Sequence, residues 1–215
     1  HHCNSRHRSK TSCPVCSSDR IKHFGVGTES VESEVKRYFP RVRTLRWDRD
    51  VTQKVGSHDQ ILQRFSERDA DVLIGTQMIA KGLDLPLVTL VGAVSCDVGL
   101  TLPDYRASER TFQVLTQVAG RAGRGLLGGH AIMQTYMPRH HAIVSAAAHD
   151  YDGFYKHEME LRRHHNYPPF GKLVRLVGNN SSISRIESDA QSVAADIRGR
   201  IQKHRANSTD VIGPA

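Results

Sequence analysis

Short apolar runs alternate with segments of helical period along this chain, and this alternation most constrains its fold. The run 71–75 (Asp-Val-Leu-Ile-Gly) ends at a glycine and is typical of a buried strand in a parallel sheet. Three further runs are predicted to be strands: 42–45, 88–94 and 130–136. Apolar residues at helical spacing predict three helices: 28–39 with Thr28 as its N-cap, one around 61–65, and 107–120. The alternation indicates an α/β domain over residues 25–137.

After this domain the sequence pattern changes, and residues 138–215 predict the start of a second, α+β domain. The turn at 167–171 (Tyr-Pro-Pro-Phe-Gly) is expected to be rigid, because each proline fixes its φ near −65°. The predicted elements are, in order, a helix at 140–163, this turn, a strand at 172–177 and a helix at 183–201. The chain ends on apolar residues without a stop signal, so we expect this domain to be truncated.

Charge and hydropathy narrow the class of partner. The 215 residues include 30 Lys+Arg and 22 Asp+Glu, a net charge of +8. This balance implies an acidic partner, most commonly nucleic acid, although a merely basic soluble protein is the alternative. The longest apolar run, 85–94, is about half of the roughly 20 residues of a membrane-spanning helix, so no membrane partner is predicted. No secretory signal opens the sequence, and its first residue is not Met, which predicts that the numbering begins inside a longer protein.

Three of the four cysteines lie within the polar, basic segment 1–24. Cys13 and Cys16 form a C-x-x-C pair, whose spacing lets two thiolates bind one tetrahedral zinc ion. A redox pair and an unbound pair are the alternatives. Cys3 is the third candidate ligand, and a cysteine three residues before it would complete a second pair. The sequence therefore predicts an incomplete zinc site at the start of the chain.

Two further predictions concern the fourth zinc ligand and the fourth cysteine. A histidine could supply the missing fourth zinc ligand, and the candidates are His1, His2 and His7. The first two could also be the remnant of a tag. Cys96 lies in an apolar segment and is predicted to be a buried core thiol rather than a ligand.

The segment 75–86 follows a predicted strand directly, at the position where ligands bind in open α/β sheets. Backbone amides and the Thr76 hydroxyl can bind a phosphodiester without reading bases. Gly82 allows close approach of a ligand, and Asp84 could contact a ribose hydroxyl. The alternative is an ordinary strand-to-helix turn with a solvated Lys81.

The segment 117–125 combines one amide, two guanidinium groups and three glycines. On a helix, Gln117, Arg121 and Arg124 would share one face, at i, i+4 and i+7. Arginine grips phosphate bidentately, which suits a γ-phosphate whose charge redistributes in the transition state. A solvated arginine face is the alternative, but each glycine weakens a helix by roughly 1 kcal/mol, which disfavours a face built only for solubility.

Five separated blocks resemble, in order, the second half of the primosomal protein N′ (PriA) family of bacterial replication-restart helicases. The blocks are 25–29, 75–82, 102–107, 109–113 and 167–171. Within them, 75–82 resembles motif V of superfamily 2 helicases, and the separate segment 117–124 resembles motif VI, Q-x-x-G-R-x-G-R.

The resemblance implies the second RecA-like lobe of a helicase, a parallel sheet with helices on both faces, between the end of a zinc-binding insertion and a partial C-terminal domain. It implies catalytic roles for Gln117, Arg121 and Arg124. The other implied sites are nucleotide contacts by Gly82, Asp84 and the two arginines, DNA contacts by Thr76, Gln77 and Lys81, and zinc ligation by Cys3, Cys13 and Cys16.

The same resemblance implies cofactors, partners and a location. The cofactors are Zn²⁺, ATP and Mg²⁺. The partners are forked and single-stranded DNA, other primosome proteins, the single-stranded-DNA-binding protein and the N-terminal half of the same protein. Such a protein would unwind DNA 3′→5′ at stalled forks in the bacterial cytoplasm, associated with the nucleoid.

The sequence departs from the family pattern at two places. Leu83 and Leu85 stand where the family usually has His and an aromatic residue, and Ser95 stands where it usually has Asp, which leaves Asp97 as the surviving acid. Neither G-x-x-x-x-G-K-[ST] nor D-E-x-H occurs in the chain. A P-loop cradles the nucleotide phosphates, so we expect the isolated chain neither to hydrolyse ATP nor to unwind DNA. The alternatives are a stand-alone DNA-binding zinc module without catalysis and another superfamily 2 helicase.

Overall fold

The computed structural model describes residues 12, 16–19, 27–48, 57–77, 85, 87–122, 128–204 and 209–213. The chain forms two compact units, His1–His165 and Asn166–Ala215. The described elements of the first unit are α1 (Thr28–Tyr38), β1 (Thr44–Trp47), α2 (Ser57–Ser66), β2 (Val72–Gly75), β3 (Leu90–Ala93), a 3₁₀ turn (Cys96–Gly99), α3 (Ala107–Ala119), β4 (His130–Met133), α4 (His141–Ala147) and α5 (Tyr151–His164). The second contains α6 (Ile183–Lys203). No helix in these ranges is long and apolar enough to cross a membrane.

The strands pair in parallel, as the sequence predicts. β1 pairs with β2, with Trp47 opposite Gly75, and β3 pairs with β4, with Ala93 opposite Met133. The resemblance implies a parallel sheet with helices on both faces, and the described strands form two two-stranded parallel sheets. Helices α1 and α2 contact the first pair, and α3 contacts the second.

At two strand ends, a carboxylate accepts a backbone N–H hydrogen bond outside the strand pairing. The first strand was predicted at 42–45 but lies at Thr44–Trp47. The Asp71 carboxylate accepts hydrogen bonds from the backbone N–H of Arg43 at 2.9 Å and from its Nη2 at 2.6 Å. These hydrogen bonds with Arg43 hold the pKa of Asp71 at about 2. The last strand similarly ends at Met133 instead of 136, where the chain turns toward Asp97.

The apolar core of the first unit lies where α3, α4 and α5 meet the 3₁₀ turn. Phe112 and Phe154 stack with their ring centroids 4.1 Å apart and their planes 4° apart. Cys96 is buried in this core, as predicted, and its thiol donates to the carbonyl of Ala93 at 3.4 Å. Burial raises the pKa of this thiol. The remaining buried members of the cluster are Leu115, Ala142, Ile143 and Ala146.

The single long helix predicted at 140–163 is wrong, because two side chains cap separate helices. The Nδ1 atom of His140 accepts from the N–H of Ala142 at 3.2 Å and begins α4. Burial lowers the pKa of His140, which favours the neutral ring that this acceptor role needs. Asp150 then begins α5 by accepting from the N–H of Gly153 at 2.8 Å.

The helices α4 and α5 belong to the first unit. The division between the two compact units falls after His165. The physical reason is the packing of α4 and α5 against α3, which buries Ile143 and Phe154. The functional domain limits 1–24, 25–137 and 138–215 remain predictions.

Asp97 is a buried anchor between the C-terminal ends of β3 and β4. Its side chain is only 1% exposed. One carboxylate oxygen accepts from the Thr135 hydroxyl at 2.5 Å and the Met137 N–H at 3.2 Å, and the other accepts from the Tyr136 N–H at 3.0 Å. Burial alone would raise the pKa of Asp97, but the hydrogen bonds from Thr135 and Tyr136 hold it below its usual value. The surviving acid of the Ser-Cys-Asp segment is thus a structural group.

We expect Asp97→Asn to lower the free energy of unfolding by about 1–3 kcal/mol at pH 7, because the new NH₂ group would face a backbone N–H. The lowered folded-state pKa places the stabilisation above the ordinary carboxyl value of 3.8 and removes it as the pH falls below that value. Urea unfolding from pH 7 to pH 3 should therefore show the wild-type advantage shrinking. Asp69→Asn, at an exposed carboxylate, is the control. A pH-independent difference would contradict the prediction.

The second unit confirms two predictions and contradicts one. Helix α6 forms as predicted, and the turn at 167–171 is closed by a hydrogen bond from the Phe170 N–H to the Tyr167 carbonyl at 2.9 Å. A Cβ at Gly171 would collide with the Asn166 carbonyl, so only glycine fits there. The strand predicted at 172–177 does not form. A strand needs a neighbouring strand for its backbone, and α6 is the sole regular element among the described residues of this unit.

Candidate nucleic-acid and nucleotide interface

The first group of predicted site residues lies at the C-terminal edge of the β1–β2 pair. Thr76 and Gln77 follow β2 directly and are exposed. Trp47 pairs with Gly75, so Asp48 and Thr76 leave the two strands at the same edge. Ligands of open α/β sheets bind at such edges, which suits the predicted DNA-binding role. The other predicted residues of this segment, Lys81, Gly82 and Asp84, lie outside the described residues.

A hydrogen-bonded network joins the start of α1 to this edge. The Thr28 hydroxyl donates to Asp48 Oδ2 at 2.6 Å, and Arg46 Nε donates to the same oxygen at 3.0 Å. The predicted N-cap role of Thr28 is therefore wrong. Gly27 occupies the N-cap position, and the Thr28 hydroxyl instead binds a buried carboxylate that is 7% exposed. Asp48 thus ties the N-terminus of α1 to the end of β1.

The acidic residues of α1 are paired with neighbouring cations. Arg46 Nη1 donates to Glu29 Oε1 at 3.0 Å. Glu32 Oε1 accepts from Lys36 Nζ at 2.8 Å and from the Thr44 hydroxyl at 2.6 Å, and these bonds lower the pKa of Glu32. Arg46 and Lys36 therefore offset part of the negative charge of Glu29, Glu32 and Asp48, which reduces repulsion of a phosphodiester near this edge.

The second group of site residues lies at the C-terminal end of α3. The helix ends at Ala119, so Arg121 lies beyond it, and the expectation that one helix carries Gln117, Arg121 and Arg124 is wrong. The Gly120 N–H donates to the Thr116 carbonyl at 2.9 Å and the Arg121 N–H to the Val118 carbonyl at 3.0 Å. Arg121 therefore lies in hydrogen-bonded turns, four residues after Gln117. Arg124 lies outside the described residues.

The absence of a side chain at Gly120 allows the tight turn that ends α3. A Cβ on Gly120 would lie 3.2 Å from the Thr116 carbonyl oxygen, closer than most side-chain contacts. Gln117 is exposed, whereas Arg121 is half-buried with its Nε atom shielded from solvent. A half-buried guanidinium loses less conformational freedom on binding phosphate than one on a fully solvated side chain.

Sequence reasoning missed a charged network between α3, α4 and α5. Glu158 is 7% exposed, accepts from Arg162 Nε at 2.9 Å and lies 3.2 Å from His141 Nε2. Arg162 Nη2 donates to Glu109 Oε2 at 2.8 Å. Burial alone would raise the pKa of Glu158, but the bonds from His141 and Arg162 hold it below its usual value. Only the i,i+4 spacing of Glu158 and Arg162 was visible as a local signal.

Of the predicted zinc ligands, the structure describes Cys16 alone, as an exposed free thiol. Cys3 and Cys13 lie outside the described residues. Within the described ranges, no group of three or more His, Cys, Asp or Glu side chains could hold a metal ion. The zinc site therefore stays a prediction.

Comparisons with known proteins place the chain in a family. Residues 17–125 match the family described as helicase conserved C-terminal domain. The chain is 42% identical over all 215 residues to the replication restart protein PriA of Bacillus subtilis, covering 26% of that relative, and 42% identical over 215 residues to that of Synechocystis, covering 25%. It is 46% identical over 179 residues to PriA of Chlamydia muridarum, a match that covers 82% of this chain and 24% of that relative.

The chain spans about a quarter of the length of these curated relatives. The matched residues 17–125 include the segments 75–82 and 117–124, and the similarity to the Bacillus subtilis relative extends over all 215 residues. The resemblance predicted from those blocks is confirmed. The α/β architecture with parallel strand pairs is consistent with a RecA-like lobe. This chain belongs to the helicase conserved C-terminal domain family and resembles the corresponding segment of replication restart protein PriA.

Proposed function

We propose that the chain is the second motor lobe, with parts of its flanking segments, of an ATP-dependent 3′→5′ DNA helicase that restarts replication at stalled forks. The observation that carries the proposal is similarity over all 215 residues to relatives named replication restart proteins. The exposed Thr76 and Gln77 at a strand-end edge support it. The P-loop and Mg²⁺ ligands would come from the other lobe, because this sequence carries no P-loop motif.

The proposed nucleotide site uses charge and geometry. Arg121 and Arg124 bind the γ-phosphate and stabilise the charge that moves onto its oxygens in the transition state. Gln117, in the last turn of α3, orients the attacking water or a phosphate oxygen. Gly82 and Asp84 contribute the close backbone approach and the ribose contact. Arginine suits this role because its guanidinium stays charged and binds two oxygens at once.

The proposed DNA site reads the backbone rather than the bases. Thr76, Gln77 and Lys81 bind phosphodiester oxygens through a hydroxyl, an amide and an ammonium group. Such contacts carry no sequence preference, which suits a motor that must move along any strand. The same proposal assigns forked and single-stranded DNA, primosome proteins and the single-stranded-DNA-binding protein as partners, in the cytoplasm at the nucleoid.

We expect the isolated 215-residue chain to show no ATP hydrolysis above an Arg124→Ala sample, with or without single-stranded DNA, because it lacks a P-loop motif. The full-length protein that carries this chain should hydrolyse ATP, and single-stranded DNA should stimulate it. Coupled-enzyme assays on both samples test this. Hydrolysis by the isolated chain would contradict the two-lobe arrangement, and a full-length protein without DNA stimulation would contradict the helicase proposal.

DNA binding should depend steeply on salt. Each neutralised phosphate contributes a slope of roughly −0.7 to the log–log plot of affinity against salt concentration on single strands. Fluorescence anisotropy with mixed-sequence oligonucleotides measures the slope for the full-length protein, and Lys81→Ala should reduce its magnitude by about 0.7. An affinity that does not depend on salt would contradict backbone recognition and favour another class of partner.

We further propose that Cys3, Cys13 and Cys16 bind zinc as part of a larger cysteine-rich insertion, with ligands from the rest of the protein. Thiolate ligands at C-x-x-C spacing suit tetrahedral Zn²⁺. In the isolated chain a histidine such as His7 would have to supply the fourth ligand. We expect at least about half a zinc ion per purified chain by atomic emission, lost in Cys13→Ser. A smaller content in the wild-type chain would contradict this substituted site.

A further inference from the structure

Helix α3 is held at one end and carries proposed catalytic residues at the other. Glu109 lies in its first turn, and Gln117 lies eight residues later, about 12 Å along the helix axis. Arg121 follows two residues after the helix ends. Because a helix behaves as a rod over two turns, whatever fixes Glu109 also fixes the direction in which Gln117 and Arg121 are presented.

The guanidinium group of Arg162 in α5 binds Glu109 and Glu158 at the same time. We call this pair of hydrogen bonds the fork, and no other residue type can reproduce it. Arg162 Nε donates to Glu158 on its own helix at 2.9 Å, and its Nη2 donates to Glu109 on α3 at 2.8 Å. Its guanidinium carbon lies 5.4 Å from the centroid of the Tyr105 ring, just before α3. The side chains of Arg162 and Glu158 are 13% and 9% exposed, so solvent screens their contact little, whereas Glu109 is 35% exposed and its contact with Arg162 is partly screened. One lysine ammonium cannot occupy both positions, because it lacks the planar fork.

The apolar and polar contacts between α3 and α5 have different consequences. The stacked pair Phe112–Phe154 buries area and holds the two helices together. Glu109 lies three residues before Phe112, and Glu158 four residues after Phe154, so the fork lies on the same faces. The ring stack fixes the distance between the helices, and the hydrogen-bonded fork between two carboxylates adds a directional contact that permits one register. Catalytic groups lose much of their effect when displaced by about 1 Å.

We propose that Arg162 and Glu109 are positioning residues for ATP hydrolysis: their contact between α5 and α3 holds Gln117 and Arg121 in register with the nucleotide. This inference rests on the proposed helicase function. Under this proposal α5, which lies beyond the matched residues 17–125, contributes to ATP hydrolysis by the motor lobe.

The test compares variants of the full-length protein that carries this chain. Glu109→Ala removes the acceptor, and Glu109→Gln keeps an amide oxygen that can still accept from Arg162. We expect Glu109→Ala and Arg162→Lys to lower kcat for DNA-stimulated ATP hydrolysis by at least tenfold. Glu109→Gln should stay within threefold of wild type. The Kd for single-stranded DNA should change by less than twofold in all three.

Asp69→Ala is the matched control, because it breaks an Arg–carboxylate pair of the same unit whose side chains are both exposed (Arg64 Nε to Asp69 Oδ2, 3.3 Å). Thermal unfolding of each 215-residue variant verifies that the assay temperature lies below its transition. Wild-type kcat that DNA does not stimulate would refute the helicase proposal itself. With an active wild type, the positioning role is overturned by any of three results: Glu109→Ala within threefold of wild type, Glu109→Gln as impaired as Glu109→Ala, or DNA affinity falling in step with kcat.

Discussion

Phe154→Ala is expected to lower the free energy of unfolding of the first unit by about 3–5 kcal/mol. The Phe154 side chain is 5% exposed and stacks on Phe112, so its removal leaves a cavity between α3 and α5 as well as losing apolar burial. This position lies outside the matched residues 17–125. The effect would therefore show that the lobe depends on α5 for its stability.

Urea unfolding measures this change with a built-in reporter. Trp47 is the one tryptophan of the chain and lies in β1, so its fluorescence follows the β1–β2 region. We expect its transition to move together with the far-ultraviolet circular dichroism signal. Tyr155→Ala, at the neighbouring half-exposed position, should cost less than about 1 kcal/mol. A Trp47 transition unchanged by Phe154→Ala would mean that α4 and α5 fold separately from the strands.

Arg121→Ala in the full-length protein is expected to lower kcat for DNA-stimulated ATP hydrolysis by about 10³–10⁵-fold, the range of arginine fingers. The guanidinium is expected to stabilise charge on the γ-phosphate only in the transition state, so kcat should fall while DNA affinity stays within about threefold. Arg121→Lys should not restore the rate, because an ammonium group cannot bind two phosphate oxygens in a plane.

Arg139→Ala is a suitable control for this experiment, because Arg139 is exposed in the loop after β4 and has no proposed role. Single-turnover hydrolysis separates the chemical step from product release and locates the loss. A decrease of less than tenfold in Arg121→Ala would contradict the proposed transition-state contact. An equal loss of kcat and of DNA affinity would instead indicate that the substitution damages the fold.

The elements that depend on neighbours along the chain were predictable. Parallel strands around 72–75 and 90–93, the helix α3 and the helix α6 follow from apolar spacing, because residues within four positions share a face. The burial of Cys96 followed from its apolar surroundings. The motif residues Thr76, Gln77, Gln117 and Arg121 were found in the sequence because their spacing is local.

Two of the errors arise where a side chain competes with the backbone, and a third arises where a strand has no partner. Thr28 has the residue type of an N-cap, yet its hydroxyl binds Asp48, twenty residues away. Apolar spacing continues through 140–163, but Asp150 caps a new helix within it. The apolar residues at 172–177 match a strand pattern, although a strand also requires a partner that local sequence does not reveal.

By itself, the sequence determined the family, the alternation of strands and helices, and which residues are candidates for nucleotide and DNA contacts. The tertiary structure alone decided how those candidates are held. Asp97 binds Thr135 across 38 positions, and Arg162 binds Glu109 across 53. Such contacts produce no periodic pattern in the sequence, because they depend on which surfaces meet when α3, α4 and α5 pack around Phe112 and Phe154. At that meeting point the side chains of Arg162 and Glu158 are only 13% and 9% exposed, so solvent offers these two groups few alternative partners.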